Sequence, residues 1–249
     1  MLNLLKTLFP KRPDETSAWG LAQCFACRQP LKQGLVFPED NIAYCHRCFR
    51  STPCWCCHLP CGPLHRRLTD ERIVCQHCYR TALLSPRHLA PLYEGTVRFL
   101  RKKLRMRLES RPRLKVTDQR FLLRHFEVGD HAFGLYTDQD LEETIYIITG
   151  IAADRAWITL AHELTHFWQR RNGPKLQASV LLEGFAEWVA YKLAEHYQLH
   201  RAMLAMRRNA AEPYHTGLHT LLSLEQEIGT QGVIRYACTE TTLPLDGGG

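Results

Sequence analysis

The sequence predicts an α+β fold preceded by a small cysteine-rich module. Three observations support this expectation. Four CxxC pairs fall within the first 80 residues of the 249-residue chain. Beyond Pro86, short apolar and β-branched runs give way to two long segments that carry apolar residues at helical spacing. The composition, with 45% hydrophobic and 23% charged residues, is that of an ordinary globular protein.

The amino-acid composition changes near Pro86, and with the other sequence patterns this change divides the chain into four ranges. We expect an N-terminal tail at 1–22, the cysteine-rich module at 23–85, a basic linker helix at 86–115 and the α+β domain at 116–249. The segment "SPRHLAPLYEG" marks the main boundary, because it contains two prolines and no cysteine.

Eight of the eleven cysteines fall into two matching sets. In each set 17 residues separate one CxxC pair from the next, and the second set repeats the first about 30 residues later. A CxxC turn presents two thiolates to one tetrahedral metal ion, and a second pair completes a four-thiolate site. We therefore expect two structural zinc sites, the first formed by Cys24, Cys27, Cys45 and Cys48 and the second by Cys54, Cys57, Cys75 and Cys78.

Five more potential ligands lie next to these cysteines, and any of them could replace one: Cys56, Cys61, His46, His58 and His77. Because the two spacings agree, we interpret all five as residues that do not bind metal. The first nine residues lack the small-residue cleavage site of a signal peptide. Many cysteines without a secretion signal indicate metal sites rather than disulfides, and a cytoplasmic location.

The net charge of +7 falls to about +5 once three zinc sites are included. Much of this charge lies between Arg98 and Lys115. Two interpretations stay open for this stretch, a patch for nucleic acid or an acidic partner, and a solvated helix with one apolar side; we favour the second. No run approaches the roughly 18 apolar residues of a membrane span.

The elements after the basic helix follow from pattern and turn residues. The helix is expected to end before Pro112, and a strand "RLKVTD" to begin at Arg113. Two further strands are "HAFGLY" and "ETIYIITG", and the second closes on Gly150. Asp154 is a candidate N-cap for a helix that continues to Arg171.

That helix carries the sequence His162-Glu163-Leu164-Thr165-His166. Histidines at i and i+4 project from one face about 6 Å apart, so both imidazoles can reach one zinc ion. Glu163 can then polarise a water molecule on the open side of the metal. An HExxH pattern arises by accident in roughly one chain of this composition in 25, so its context matters.

A catalytic zinc needs a third protein ligand and an open fourth position. The metzincin continuation is excluded, because Gln169 and Asn172 stand where it needs Gly and His. A second helix is expected over 176–197, with Glu183 and Glu187 one turn apart. In an antiparallel helical hairpin Glu183 becomes the third ligand, and Glu187 accepts the free N–H of a ligating histidine.

Three later residues are candidates for stabilising an oxyanion: Tyr214, His215 and His219. The alternative for the two histidines, which lie four residues apart, is a packing or surface role, and we favour that alternative.

At this point the sequence resembles a known family. The stretch from "FGLYTDQDLEETIYIITG" through "LAHELTH" to "LLEGFAEW" looks like the peptidase domain of the LIM-type zinc peptidases, which are activated by ubiquitin. Their zinc-finger region also precedes the peptidase. The resemblance implies a zincin-like, gluzincin-like metallopeptidase domain behind a LIM-like double zinc module. It also implies that the strand at 143–149 is a sheet edge to which substrate adds.

The resemblance implies roles for particular residues. His162, His166 and Glu183 would hold a catalytic zinc, and Glu163 would act as the base. Cys45 stands where a LIM domain usually has His, and Leu182 where the family often has Glu. The plant members of this family carry ubiquitin-binding motifs ahead of the LIM region. We see no such motifs in this sequence, and we therefore expect a short, prokaryotic-type relative of that family.

We therefore expect a zinc metalloendopeptidase with one catalytic and two structural zinc ions. Its partners would be a protein substrate and a ubiquitin or ubiquitin-like regulator. The alternative is a zinc-dependent protein-interaction adaptor with an inactive peptidase-like domain. A nucleic-acid-binding zinc protein is a third hypothesis, but the module lacks a finger helix with base-reading side chains. The presence of both Glu163 and Glu183 favours the enzyme.

Overall fold

The computed structural model describes residues 23–31, 35–37, 42–83, 85–139 and 142–244. Within these ranges the chain mixes helices with short strands, in agreement with the predicted α+β class. The predicted N-terminal tail, residues 1–22, lies outside the described residues.

The chain forms two compact units. The first comprises the described residues within Met1–Leu84 together with Asp118–Phe126 and Thr149–Ala153. The second comprises Ser85–Thr117, Glu127–Ile148 and the described residues from Asp154 onward. The sequence-based ranges divide the chain near the same place, at Pro86, but they do not anticipate the two later segments that belong to the first unit.

The first unit contains the cysteine repeat, and each copy has a two-stranded antiparallel sheet followed by a short helix. The elements of the two copies are β1 (Leu35–Phe37), β2 (Ile42–Tyr44), α1 (His46–Phe49), β3 (Arg66–Arg67), β4 (Ile73–Val74) and α2 (Gln76–Arg80).

The two copies share their hydrogen bonds, offset by 30 residues. The amide of Cys24 donates to the carbonyl of Gln29, and the amide of Cys54 to that of Leu59, each at 2.8 Å. Among the described residues, five buried residues form the core cluster of the first copy: Cys24, Ala26, Ile42, Tyr44 and Cys48. Two of the five are predicted metal ligands, so we expect bound metal to supply much of the folding free energy of this copy.

The second unit begins with a helix that differs from expectation. Helix α3 (Pro86–Phe99) continues as a π-helical turn (Leu100–Leu104) and ends at Arg105, whose φ is 60°. The predicted continuation towards Pro112 is wrong, because the left-handed conformation of Arg105 turns the chain out of the helix.

The charged stretch has the apolar side that the favoured interpretation requires. Four of its residues are almost completely buried: Phe99, Leu100, Leu104 and Met106. Arg111 and Arg113 form ion pairs with Glu94 and Glu142. Arg101, Lys102 and Lys103 are exposed.

Three strands form a mixed sheet. Strand β5 (Arg113–Thr117) pairs in parallel with β7 (Thr144–Ile148), and β6 (Gly134–Thr137) pairs with the other side of β7 in antiparallel. The expectation that the strand at 143–149 is a sheet edge is therefore wrong. It is the central strand, as its buried residues Ile145, Ile147 and Ile148 indicate, and β6 is an edge strand.

Helix α4 (Gln119–His125) lies between β5 and β6 in the chain. Within the described residues, four further helices follow β7: α5 (Ala153–Asn172), α6 (Ser179–His196), α7 (His200–Arg208) and α8 (Tyr214–Thr239), the last interrupted at Gly229. The helices expected at 154–171 and 176–197 are confirmed within a few residues. Asp154 is not the N-cap, because α5 begins one residue earlier and Asp154 lies in its first turn. In the described part of the chain, no helix has both the length and the hydropathy needed to cross a bilayer.

Helices α6 and α8 touch through two glycines. A Cβ atom on Gly217 would lie 2.4 Å from the Cα of Gly184 and 2.5 Å from the carbonyl oxygen of Val180. Neither contact leaves room for a side chain, and both are with backbone that cannot rotate away. Gly184 directly follows Glu183, so this contact determines how closely α8 approaches the residues predicted to bind metal.

We expect Gly217→Ala to lower the free energy of unfolding by about 1–3 kcal/mol, because overpacking outweighs the better helix propensity of alanine. Denaturant unfolding measures the change. Gly129→Ala is the matched control, since a Cβ there meets nothing within 4 Å. Equal stability of the Gly217→Ala variant and wild type would show that α6 and α8 can move apart to admit a methyl group without a cost in stability.

Candidate metal centre

Helices α5 and α6 bring His162, His166 and Glu183 together. The two Nε2 atoms lie 3.0 Å apart, and the Oε2 atom of Glu183 lies 3.2 Å from that of His162 and 3.3 Å from that of His166. Gln169, near the end of α5, contacts Leu182 near the start of α6, whereas His162, in the middle of α5, contacts Glu187 further along α6. The two helices therefore run antiparallel, as the hairpin hypothesis requires.

The three separations fit a tetrahedral metal site. Zinc–ligand bonds of about 2.0–2.1 Å place neighbouring ligand atoms about 3.3 Å apart. Two imidazole nitrogens and one carboxylate oxygen are a donor set that zinc prefers. These three residues could therefore hold a metal ion.

The far side of each imidazole is also held. The Nδ1 atom of His162 lies 3.3 Å from Oε2 of Glu187, where sequence analysis expects a hydrogen bond from a ligating histidine. The Nδ1 atom of His166 lies 3.0 Å from Oε1 of Gln169, whose Nε2 donates to the carbonyl of Leu182 at 2.9 Å. Both imidazoles thus have a partner that can orient Nε2 towards Glu183.

This role of Gln169 does not follow from the HExxH motif, in which position 169 serves only to exclude the metzincin pattern. Gln169 nevertheless lies three residues after His166 on the same helical face. Its burial, with 3% of its surface exposed, is the structural sign that its amide is fully engaged.

Electrostatics in this site favours positive charge between the imidazoles and the carboxylates. Burial lowers the pKa of His162, but hydrogen bonds to Glu183 and Glu187 and the charge of Glu163 outweigh burial and raise it to about 10. Burial likewise opposes ionisation of Glu183, yet the two histidines hold its pKa well below its usual range. A divalent cation can supply the same positive charge.

Glu163 lies on the same helix and is 8% exposed. Its Oε2 atom accepts a hydrogen bond of 2.8 Å from the backbone amide of Tyr136. The predicted base is therefore fixed relative to the edge strand β6, which contains Tyr136.

The side chain of Tyr136 is anchored as well. Its hydroxyl group donates to Oε1 of Glu143 at 2.9 Å, and the other oxygen of Glu143 forms an ion pair with Arg171. The Arg171 guanidinium lies 4.0 Å from the centre of the Phe167 ring. One end of β6 is thus tied to both β7 and α5.

Of the three oxyanion candidates, the structure brings only Tyr214 to the metal ligands. Its ring centre lies 5.9 Å from that of His162. Burial and the nearby carboxylates, Glu183 first among them, raise the pKa of Tyr214 to about 12, so its hydroxyl group remains a hydrogen-bond donor at neutral pH. His215 and His219 instead contact the carbonyls of Asn209 and Arg207.

The eight cysteines of the repeat form two clusters in the first unit. Within each cluster the four Sγ atoms lie within 4.8 Å of one another: Cys24, Cys27, Cys45 and Cys48 in the first, and Cys54, Cys57, Cys75 and Cys78 in the second. The Sγ atoms of Cys57 and Cys75 are 3.9 Å apart, and a four-thiolate zinc site with bonds of about 2.3 Å requires about 3.8 Å. Both clusters could bind a metal ion.

Backbone amides point at the sulfurs in both clusters. The amide of Cys45 donates to Sγ of Cys24 at 3.4 Å, and the amide of Cys75 donates to Sγ of Cys54 at 3.2 Å. Burial opposes ionisation of Cys24, but backbone hydrogen bonds lower its pKa to about 7. These contacts stabilise thiolates, the form in which cysteine binds metal.

The five neighbouring residues stand outside both four-sulfur clusters. Cys56 and Cys61 are buried beside the second cluster, His46 and His58 are exposed, and His77 packs on the ring of Phe25 with centres 5.6 Å apart.

No protein-family model, curated protein or solved structure matches this chain. The likeness to LIM-type peptidases therefore rests on the motif residues alone.

We expect purified protein to contain three zinc ions per chain, and His162→Ala to contain two, because only the site on α5 and α6 loses a ligand. Elemental analysis of protein purified without added metal measures this ratio. His88→Ala removes an exposed histidine and should retain three. Two ions in wild type, unchanged by His162→Ala, would remove the third site from the account.

Proposed function

We propose that this protein is a zinc metalloendopeptidase that hydrolyses peptide bonds in protein substrates. The observation that carries the proposal is the convergence of His162, His166 and Glu183 beside Glu163. A purely structural zinc site has four protein ligands, whereas this donor set provides three and leaves a fourth position for a reacting molecule. Glu163, which is not one of the three ligands, is close enough for its charge to raise the pKa of His162.

Zinc bound by the three ligands would lower the pKa of water and polarise the scissile carbonyl group. Glu163 would take the proton from the attacking water and later deliver it to the leaving amine. The hydrogen bond from the Tyr136 amide limits the movement of Glu163, which favours proton transfer at one fixed position.

The edge strand β6 is the proposed place for the substrate backbone. In an antiparallel pair, the N–H and C=O groups of one residue point to the same side of the strand. The Tyr136 amide points at Glu163 and not at β7, so the Tyr136 carbonyl also faces the open side. An extended peptide could add there as a further strand, beside the base.

Tyr214 is the proposed donor to the oxyanion of the tetrahedral intermediate. It lies beside His162, and its raised pKa keeps the hydroxyl proton in place. The Gly184–Gly217 contact positions it, because Tyr214 begins the helix that contains Gly217.

The cysteine clusters would hold two further zinc ions in closed sites, which cannot bind a reacting water. Their proposed role is to maintain the structure of the first unit and to present a surface to protein partners. Regulation by ubiquitin or a similar protein is implied by the resemblance alone and stays a prediction.

We expect Glu163→Gln to retain three zinc ions and to lower cleavage of an unstructured protein such as casein by at least about 10²-fold, because the amide cannot accept the proton. Elemental analysis and a peptide-release assay measure the two effects. Glu227→Gln makes the same change at an exposed position of α8 and should cleave like wild type.

The same pair of variants, compared with wild type, distinguishes the peptidase hypothesis from the adaptor hypothesis. Unchanged cleavage in Glu163→Gln would refute the role of Glu163. Zinc binding at the third site in wild type, without cleavage of any denatured protein, would favour the adaptor with an inactive peptidase-like domain.

We expect Tyr214→Phe to lower kcat by about 10–10³-fold with little change in KM, because the hydroxyl group acts only when the oxyanion forms. Steady-state kinetics on one fluorogenic peptide measures this split. Tyr236→Phe is the control, since its hydroxyl donates to the carbonyl of Thr242. An equal loss from His219→Ala but none from Tyr214→Phe would reassign the donor.

A further inference from the structure

The loop between β7 and α5, Thr149–Ala153, belongs to the first unit although β7 and most of α5 belong to the second. This β7–α5 loop pairs with residues 81–83, which follow the helix of the second cysteine cluster. Its backbone hydrogen bonds run from Leu83 N to Ile151 O (3.0 Å), from Gly150 N to Leu83 O (2.9 Å) and from Ala153 N to Thr81 O (3.0 Å).

The turn of the second cluster also contacts the loop. The amide of Ala152 donates to Sγ of Cys56 at 3.4 Å, and Cys56 lies between the ligands Cys54 and Cys57. Gly150 has a φ of 73°, and a Cβ atom there would lie 2.4 Å from a methyl carbon of Leu68. The loop is therefore held in one conformation by residues of the cysteine-rich segment.

Arg72 contacts both the β7–α5 loop and the turn of the second cysteine cluster. It is 5% exposed, and its Nη2 atom donates to the carbonyl of Thr149 at 2.6 Å. Its Nε atom donates to Oδ2 of Asp70 at 2.8 Å, and its guanidinium lies 4.6 Å from the centre of the Trp55 ring. Trp55 lies in the first CxxC turn of the second cluster, and Arg72 directly precedes the strand that leads to Cys75.

A buried arginine–aspartate pair contributes little net stability compared with apolar residues of the same volume. Here the pair instead fixes the orientation of the Arg72 guanidinium. The planar guanidinium reaches an acid, a carbonyl and an aromatic ring at once, and a lysine cannot reproduce that geometry.

We propose that Arg72 is a positioning residue that couples the second cysteine cluster to the start of α5, the helix that contains the HExxH motif. Ala153 ends the loop and begins α5, and His162 and Glu163 follow within three turns of the same helix. Because an α-helix is rigid over that length, a displaced loop would tilt both residues relative to α6. The catalytic consequence rests on the proposed function, but the coupling itself does not.

The test compares Arg72→Lys and Arg72→Met with wild type as full-length, zinc-loaded proteins. The control is Arg67→Met. Arg67 is an exposed arginine of the same β-hairpin, and it forms an ion pair with Glu71. Hydrogen–deuterium exchange of the amides at 149–160 reports on the loop and the first turns of α5. Competition with a zinc chelator reports on the third metal ion.

We expect exchange at 149–160 to accelerate by about tenfold or more in both Arg72 variants, because the loop opens locally. The third zinc ion should dissociate at a lower chelator concentration, and kcat/KM should fall by about 10²-fold, as misplaced catalytic groups do. Exchange over 75–80 should stay slow in Arg72→Lys, and Arg67→Met should match wild type throughout.

Normal exchange at 149–160 with normal retention of the third zinc in Arg72→Lys would overturn the proposal. Loss of zinc from the cysteine clusters in both variants would also overturn it, since Arg72 would then serve folding of the first unit alone. A wild-type protein that cleaves nothing, while loop exchange and zinc retention still respond to Arg72, would refute the peptidase and leave the coupling standing.

Discussion

The contact among the Nε2 atoms of His162 and His166 and the carboxylate of Glu183 is the constraint around which the second unit is arranged. Three polar groups that face one another at 3.0–3.3 Å in a mostly buried site require a shared positive charge. Around them, Glu187 and Gln169 orient the imidazoles, and the Gly184–Gly217 contact brings α8 close enough for Tyr214 to reach His162. A change in any of these supports would act on the same three atoms.

Local patterns predicted well which side chains of the candidate metal sites come together, because that geometry follows from short sequence spacing. The i,i+4 histidines and the CxxC pairs need only one helix or one turn to converge. Glu183 needed one further assumption, the antiparallel hairpin, and the contacts between α5 and α6 agree with it. The position of β7 was mispredicted because strand order depends on the pairing partner. Arg113–Thr117 covers its second side, and the near-continuous apolar run at 145–148, although typical of a buried strand, does not identify that partner.

Long-range polar contacts were equally invisible in the sequence. Gln169 and Arg72 lie in no motif, and their roles depend on a carbonyl or a carboxyl group that another element supplies. The first unit shows the same limit, since Thr149–Ala153 joins the cysteine-rich segment through backbone hydrogen bonds that any residue could make. The cysteine-rich segment thus also holds the loop that leads directly into the helix of the HExxH motif. Under the proposed function, this arrangement would let closed metal sites, which carry out no chemistry, influence an open one.

The central claim is that His162, His166 and Glu183 hold a zinc ion with one open coordination position. Anomalous X-ray diffraction at the zinc absorption edge, from crystals of the full chain, tests it most directly. The account requires a third peak about 2.1 Å from both Nε2 atoms and from the Glu183 carboxylate, with a water molecule as the fourth ligand. Peaks at the cysteine clusters alone, or a fourth protein side chain that closes the third site, would contradict it.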